Sequence, residues 1–477
     1  MQKWLKKAAP IVLAVSLLTG CSFGGDKEGK AKEQSTLKVM YYDESSFFRE
    51  YGMLFSAIYP EVDIQVVETS SLYRSGNEGE EVDREKLQQE FIEKEKPDLL
   101  MLDIKDYEKM AEEGKLYDLD TYVVKDKFNT EGLIPGMVDY MKELGGGQLY
   151  GMPSSVSSQV LYYNKALFDK YGVPHPTDQM NWADVIGLAR QFPTDGEPAD
   201  RVYGLKVGYS GALSDFSTML ADSEGLKYVD PKTKKMTINT PGWATSVQTA
   251  LDAIKSKALY FEDPNNSMNG GSYEDYLLKN PFISGRLAMT IDGTYFMNEI
   301  KEATNYIKEE GAVVKDWDMV TVPVSAQLPD ESSSAYYSSI FSIAKDSPNA
   351  DAAWKFISYI SSEEYARVKA KMIDYSGLPI HTKYIKDDEG RNFAAFYKLK
   401  PSRNNQYSDF DKLPPQFGMM FHDIMNKEFK EIQDGKKEIE ESLEYLQVKG
   451  DELLAQEPMT DKEMNEMMQK QMEESQN

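Results

Sequence analysis

Between Pro97 and Asp103 the chain reads Pro-Asp-Leu-Leu-Met-Leu-Asp. Four consecutive apolar residues between acids do not alternate between core and solvent. Both faces of such a strand must be covered, as in the centre of a parallel sheet with helices on both sides. The flanking sequence fits that demand. Leu37 to Tyr41 and Val62 to Val67 read as strands, the second by its alternation. Phe47 to Ile58 reads as a helix with Phe48, Tyr51, Leu54, Phe55 and Ile58 on one face, and Pro60 ends it. Arg84 to Glu95 is a second helix, and Ile104 to Glu113 is a third with Gly114 as its C-terminal cap. The order β-α-β-α-β-α predicts an α/β lobe built on a mostly parallel sheet flanked by helices. Ligands of such sheets sit beyond the carboxyl ends of the strands. Here those ends are Tyr42-Asp43 and Asp103, although each acid could equally be a helix cap or a solvated loop residue.

A second organising stretch runs from Gly145 to Gly172. Three glycines precede an apolar strand, Leu149 to Met152, that stops at Pro153. The hydroxyl residues Ser154, Ser155, Ser157 and Ser158 follow, then the strand Val160 to Tyr163 and an amphipathic helix from Lys165. The spacing suits either a hairpin inside one domain or a connection between two lobes. Further strands read at Tyr203 to Val207, Trp317 to Val324 and Tyr336 to Ile343, and Phe282 to Gly293 reads as a turn, a strand and a second turn. Helices are signalled by Asn181 before Trp182, by Pro241 before Trp243, and by Ser347-Pro348. From Phe417 to Gln456 the pattern is helical and charged, with Gly435 as a break. A chain of 477 residues accommodates two or three domains.

The formal net charge of -25 argues against nucleic acid as a partner, because phosphate binding needs a basic surface. No Gly-x-Ser-x-Gly elbow and no phosphate loop with lysine is present. The three histidines, His175, His381 and His422, form no metal pair. Asp263, Asn265 and Asn269 miss the spacing of a calcium loop. Catalytic residues, metal and cofactor are therefore all read as none. A carboxylate pair is set in space rather than in sequence and stays open. At the N-terminus, Lys3, Lys6 and Lys7 precede the apolar stretch Ile11 to Leu18, the layout of a signal peptide too short to span a membrane. It runs into Leu18-Thr19-Gly20-Cys21, which resembles the bacterial lipobox. That resemblance implies a signal peptide over 1–20, a diacylglycerol on the Cys21 thiol, and anchoring at the extracytoplasmic face of the cell membrane. Residues 21–36, rich in Gly, Lys, Glu and Ser, read as a flexible tether.

The ordered motifs resemble the extracellular solute-binding proteins of ABC importers, in the group that includes maltose- and oligosaccharide-binding proteins. The stretches that carry the likeness are Leu149 to Pro153 with Leu161 to Lys165, Asn181 to Asp184, Phe282 to Gly293, and Ile343 to Ser347 with Ala352 to Ile357 and Ser361 to Glu363; Leu378-Pro379 adds to them. The resemblance implies a two-lobed periplasmic-binding-protein fold with the ligand in the cleft. It places lobe 1 at 37–153 and 287–328, and lobe 2 at 159–282 and 334–456. Ser154 to Ser158 would be the first crossing, and 457–477 a polar, Met-rich tail. Tyr42, Asp43, Asp103, Ser155, Ser157, Asp292, Tyr295, Tyr336 and Tyr337 would face the cleft. Such a set suits a sugar: carboxylates and hydroxyls bond its hydroxyls, and aromatic faces cover its C–H faces. Trp182 and Trp354 are expected in the core. The expectation is a lipid-anchored, monomeric binding protein, not an enzyme, that delivers an oligosaccharide to ABC permease subunits. A peptide or polyamine ligand, or a surface glycan-degrading enzyme, are the alternatives.

Overall fold

The computed structural model describes residues 34–74, 84–198, 200–208, 211–262, 272–371, 377–386, 389–403, 410–460, 462–467 and 469. Cys21, the signal peptide, most of the tether and the loop with Asp263, Asn265 and Asn269 lie outside the described residues. The strands, in chain order, are β1 (Ser35–Tyr41), β2 (Val62–Glu68), β3 (Leu99–Leu102), β4 (Gly151–Ser157), β5 (Val160–Asn164), β6 (Tyr203–Lys206), β7 (Val229–Asp230), β8 (Lys235–Met236), β9 (Leu259–Tyr260), β10 (Leu287–Asp292), β11 (Trp317–Thr321), β12 (Glu331–Ser332), β13 (Tyr336–Ile343), β14 (Leu378–Pro379) and β15 (Lys400–Pro401).

The first sheet has the order β14-β4-β13-β3-β1-β2. β1 pairs in parallel with β2 and β3, and β13 runs antiparallel to β3 and β4. The apolar run Leu99–Leu102 is thus an interior strand, and Leu99, Leu100 and Leu102 are buried. Helical segments Glu44–Phe47, Phe48–Gly52 (a π turn) and Met53–Ile58 follow one another along one side of it. They pack on the helix Ala350–Ile360: Phe47 stacks on Phe356 with ring centroids 5.6 Å apart. Trp354 is buried there too, stacked on Tyr122 at 5.2 Å.

The second sheet has the order β11-β5-β10-β6-β9. Its β5 serves two cores at once: Leu161 and Tyr163 enter one, Val160 and Tyr162 the other. That is the period of two expected of a strand covered on both faces. Helices Phe417–Gln433 and Ile439–Leu454 bury their apolar sides in the first of these cores. Gly435 separates them at φ +73°, a left-handed conformation that glycine adopts without steric cost. Trp182 and Trp243 belong to the same core.

The sheet pairings correct the expected division of the chain. The resemblance places segment 287–328 in lobe 1, but β10 bonds to β5 and β6, and β11 bonds to β5, all in the second sheet. The same resemblance places β13 in lobe 2, but it pairs with β3 and β4 in the first sheet. The physical reason is that a doubly buried strand announces its need for two covered faces and not which sheet supplies its neighbours. The first crossing is also shorter than expected. Ser154, Ser155 and Ser157 lie inside β4, so only Ser158 and Gln159 connect β4 to β5. The chain crosses back between β11 and β13, and again after β14, where Ala395 and Phe396 enter a core of the second sheet. β12 and β15 pair in parallel within these later crossings. Among the described residues no helix is long and apolar enough to cross a membrane.

Candidate ligand-binding site

At the carboxyl ends of β1 and β3, and beside the start of β13, lies a pocket of about 520 Å³. Its wall includes Met40, Tyr41, Thr69, Leu72, Gln88, Met101, Asp103, Lys105, Asp106 and the run Tyr336 to Ser339. The end of a parallel strand and the start of the next helix meet here, as the βα pattern requires. Asp103 caps the helix Ile104–Glu112, accepting the Asp106 N–H at 2.8 Å. Asp106 accepts from Gln88 Nε2 at 2.9 Å. Burial raises the Asp106 pKa above the ordinary carboxylate range, and the neighbouring charge of Asp103 adds to this.

Tyr336 is 52% exposed on the pocket wall, while Tyr337 is 5% exposed and packs on Tyr140 with centroids 5.6 Å apart. The register of β13 against β4 is the same on both sides of Ser339, with Ser338 opposite Ser155 and Ile340 opposite Pro153, yet Ser339 itself stands at φ +50°. A left-handed serine inside a strand is strained, and such outliers cluster at ligand sites. Below the pocket, the Tyr41 hydroxyl donates to Glu50 Oε2 at 2.9 Å, and Glu50 Oε1 meets the buried Lys369 ammonium at 3.3 Å.

The other expected residues divide between the two sheets. Tyr42 is 46% exposed just past β1. Asp43 caps the helix that begins at Glu44, accepting the Ser46 N–H at 2.8 Å. Ser155 is a correction: it is buried, with its hydroxyl bonded to Ser338 Oγ at 2.7 Å, because β4 has neighbours on both sides. Ser154 is likewise buried, bonded to the Tyr51 hydroxyl at 2.9 Å. Ser157 ends β4 opposite Tyr336, at the edge of the crossing.

Asp292 ends a strand of the second sheet, and Tyr295 begins the helix that follows it, Tyr295–Tyr306. Asp292 ends β10 and opposes Val160, the first residue after the crossing. The crossing at Ser158 and Gln159 therefore has Tyr336 at its first end and Asp292 at its second. Asp292 accepts the Gly293 N–H at 2.8 Å and is hydrogen-bonded by Tyr295; burial nevertheless raises its pKa. Lys206, Glu262 and Glu299 act electrostatically on Asp292 or are acted on by it. Lys206, at the end of β6, pairs with Glu262 at 2.5 Å.

Thr69, Gln88, Asp106, Ser338, Ser339 and Lys206 were not expected from sequence. Thr69 and Lys206 could have been found, since each ends or directly follows a parallel strand, the same signal that marked Asp103. The serines of β13 carried no such signal.

The chain matches the family model described as bacterial extracellular solute-binding protein over residues 31–367. A putative binding protein of Brucella abortus is 24% identical over 306 residues; the match covers 61% of this chain, which spans 65% of that relative's length. An sn-glycerol-3-phosphate-binding periplasmic protein of Agrobacterium fabrum is 22% identical over 346 residues, covering 69% of this chain and 72% of the relative. In fold, the chain is similar to the sugar-binding protein MalE of Xanthomonas citri, with a TM-score of 0.56, 18% identity, and 88% of this chain and 97% of that one covered. Two helix-flanked sheets joined by crossing segments, a pocket at the strand ends and a model match over most of the chain lead to one assignment: the chain belongs to the bacterial extracellular solute-binding proteins.

Proposed function

We propose that this protein captures an oligosaccharide between its two lobes and delivers it to the permease of an ABC importer. The observation that carries the reading is the half-exposed ring of Tyr336 beside Asp103 at the strand ends. A ring face covers the C–H face of a sugar, and a carboxylate beside it accepts the sugar hydroxyls in charge-assisted bonds. Asp292 and Tyr295 supply the same pair of chemistries from the second sheet, across the crossing. The likeness in fold to a sugar-binding protein supports the reading. Closure of the lobes about the crossing segments is the proposed capture step. A lipid on Cys21, with the following residues as tether, would hold the protein at the outer face of the membrane.

The test is thermal unfolding against a panel of neutral mono- and oligosaccharides. A ligand that binds the folded state raises the melting temperature by mass action. A dose-dependent rise with at least one glycan is expected. No rise with any glycan, together with a rise from a peptide or polyamine, would replace the sugar by that class.

A further inference from the structure

The helix that leaves the cleft carries a stripe of residues that the candidate site does not use. Tyr295, Glu299, Glu302 and Tyr306 follow one another three or four positions apart along Tyr295–Tyr306, so they share one face of the helix. Phe296, Ile300 and Ala303 turn into the core and hold that face outward. The stripe begins beside Asp292, whose carboxylate is hydrogen-bonded by Tyr295. Glu299 lies within electrostatic reach of both Asp292 and Glu302. The Tyr273 hydroxyl, from the helix Tyr273–Lys279, donates to Glu302. At the far end Tyr273 meets Tyr306 edge-on at 5.2 Å, and it stacks on Tyr276 at 6.0 Å with 17° between the ring planes. From Tyr295 to Tyr306 the helix rises by about 16 Å.

The three rings at the far end are exposed, Tyr273 by 43%, Tyr276 by 64% and Tyr306 by 54%. Exposed apolar surface gathered in one patch and edged by polar groups is a mark of binding. The setting of the rings selects the occupant. Glutamate is depleted from the cores of protein–protein interfaces, whereas here Glu299 and Glu302 alternate with the rings. Their charge also disfavours an anionic polymer or an acidic lipid surface. An uncharged glycan matches both halves of the pattern. Ring faces cover its C–H faces, and carboxylates bond its hydroxyls.

We propose that Tyr273, Tyr276 and Tyr306 form a surface subsite for the distal units of a neutral oligosaccharide whose first units lie in the cleft at Asp292 and Tyr295. This rests on the reading of the cleft as a sugar site and narrows the ligand to a chain long enough to leave the cleft and follow the helix for about three turns. Long chains then bind more tightly than short ones, because each ring stacked on a distal unit lowers Kd by a factor of about 2–13.

The probes are ladders of neutral linear glycans from disaccharide to octasaccharide, in the α-1,4-glucan, β-1,4-glucan and β-1,4-mannan series. Titration calorimetry compares the full chain with the double variant Tyr276→Ala, Tyr306→Ala. In the wild type, Kd is expected to fall as the chain lengthens. In the variant, the longest chains should lose at least about fivefold in affinity, two rings at the low end of the range, while the disaccharide keeps its Kd. Tyr276→Phe, Tyr306→Phe preserves the ring faces and should retain most of the long-chain gain. A wild-type Kd that is the same at every length overturns the proposal. So does an alanine variant that loses short and long chains equally. Should the double variant not fold, by circular dichroism, Tyr276→Ala alone is read by the same criteria, since that ring is the most exposed of the three. A flat ladder together with self-association of the wild type in sedimentation, abolished by the alanine substitutions, would give the rings to a second copy of the chain instead. Binding of short glycans with no gain in length removes this proposal and leaves the sugar reading standing; no binding of any glycan removes both.

Discussion

Tyr336 and Tyr337 are neighbours in β13, and successive residues of a strand face opposite sides of the sheet. Tyr336 is 52% exposed and Tyr337 5%. Replacing each by alanine should therefore give opposite results. A buried aromatic side chain covers about 150–250 Å², which at about 25 cal/mol per Å² amounts to about 4–6 kcal/mol as an upper bound. Large-to-small aromatic substitutions in cores lose about 3–5 kcal/mol. Tyr337→Ala falls in that class, since its ring packs on Tyr140 at 5.6 Å. At about 2–4 °C per kcal/mol for domains of this size, the melting temperature should drop by about 6–20 °C. Tyr336→Ala should stay within about 0.5 kcal/mol of the wild type in stability. Its affinity for a stacked sugar should fall by about 0.5–1.5 kcal/mol, a factor of about 2–13 in Kd. Scanning fluorimetry reads the first effect and titration calorimetry with a sugar from the panel reads the second. If Tyr336→Ala unfolds the protein as readily as Tyr337→Ala, or binds the sugar with unchanged Kd, the assignment of the two rings is wrong.

Three further outcomes follow from named contacts. Ser339→Gly should raise stability by relieving the strain of φ +50°, and Ser339→Val should lower it by about 1–3 kcal/mol in urea titrations, because a β-branched residue tolerates that conformation least. Lys369→Met should cost about 3 kcal/mol, the low end for an orphaned buried charge, since its partner Glu50 is 18% exposed and keeps the Tyr41 hydroxyl. Adding Glu50→Gln should recover most of that loss; no recovery would show that the ion pair is not its source. Asp106→Asn should make the protein more stable at neutral pH, by an amount that shrinks as the medium is acidified. The sign follows from the raised pKa, caused by burial and then by Asp103. A carboxyl raised in the folded state contributes stability below its unfolded pKa and loses it as pH rises through the folded one. A gap between variant and wild type that widens towards acid would reverse the assignment.

Much of the first lobe was legible because its signals are local. The strands at Leu37, Val62 and Leu99, the helices after them and the caps Asp43 and Asp103 each depend on residues a few positions apart. Each cap bonds a backbone N–H three residues on, a spacing readable without any tertiary information. Trp182 and Trp354 were placed in the core by helical spacing, and both are buried. The serine run misled for a complementary reason. Small hydroxyl residues suit a solvated crossing, yet Ser155 is bonded to Ser338, 183 residues away, and Ser154 to Tyr51, 103 residues away. Nothing within the run names those partners. Tyr336 and Tyr337 read alike as candidates, and only the register of β13 separates the exposed ring from the buried one.

The amino-acid order by itself determined the class of fold, the edges of most elements and the two strand-end acids of the first lobe, since periodicity, capping and βα succession act over a few residues. Tertiary structure decided which sheet β10, β11 and β13 join, where the chain crosses, and that Gln88, Asp106 and Ser339 share a pocket with Asp103. Those outcomes depend on register and packing between segments from about 15 to more than 200 positions apart, and the pairing free energy belongs to both segments together and to neither alone.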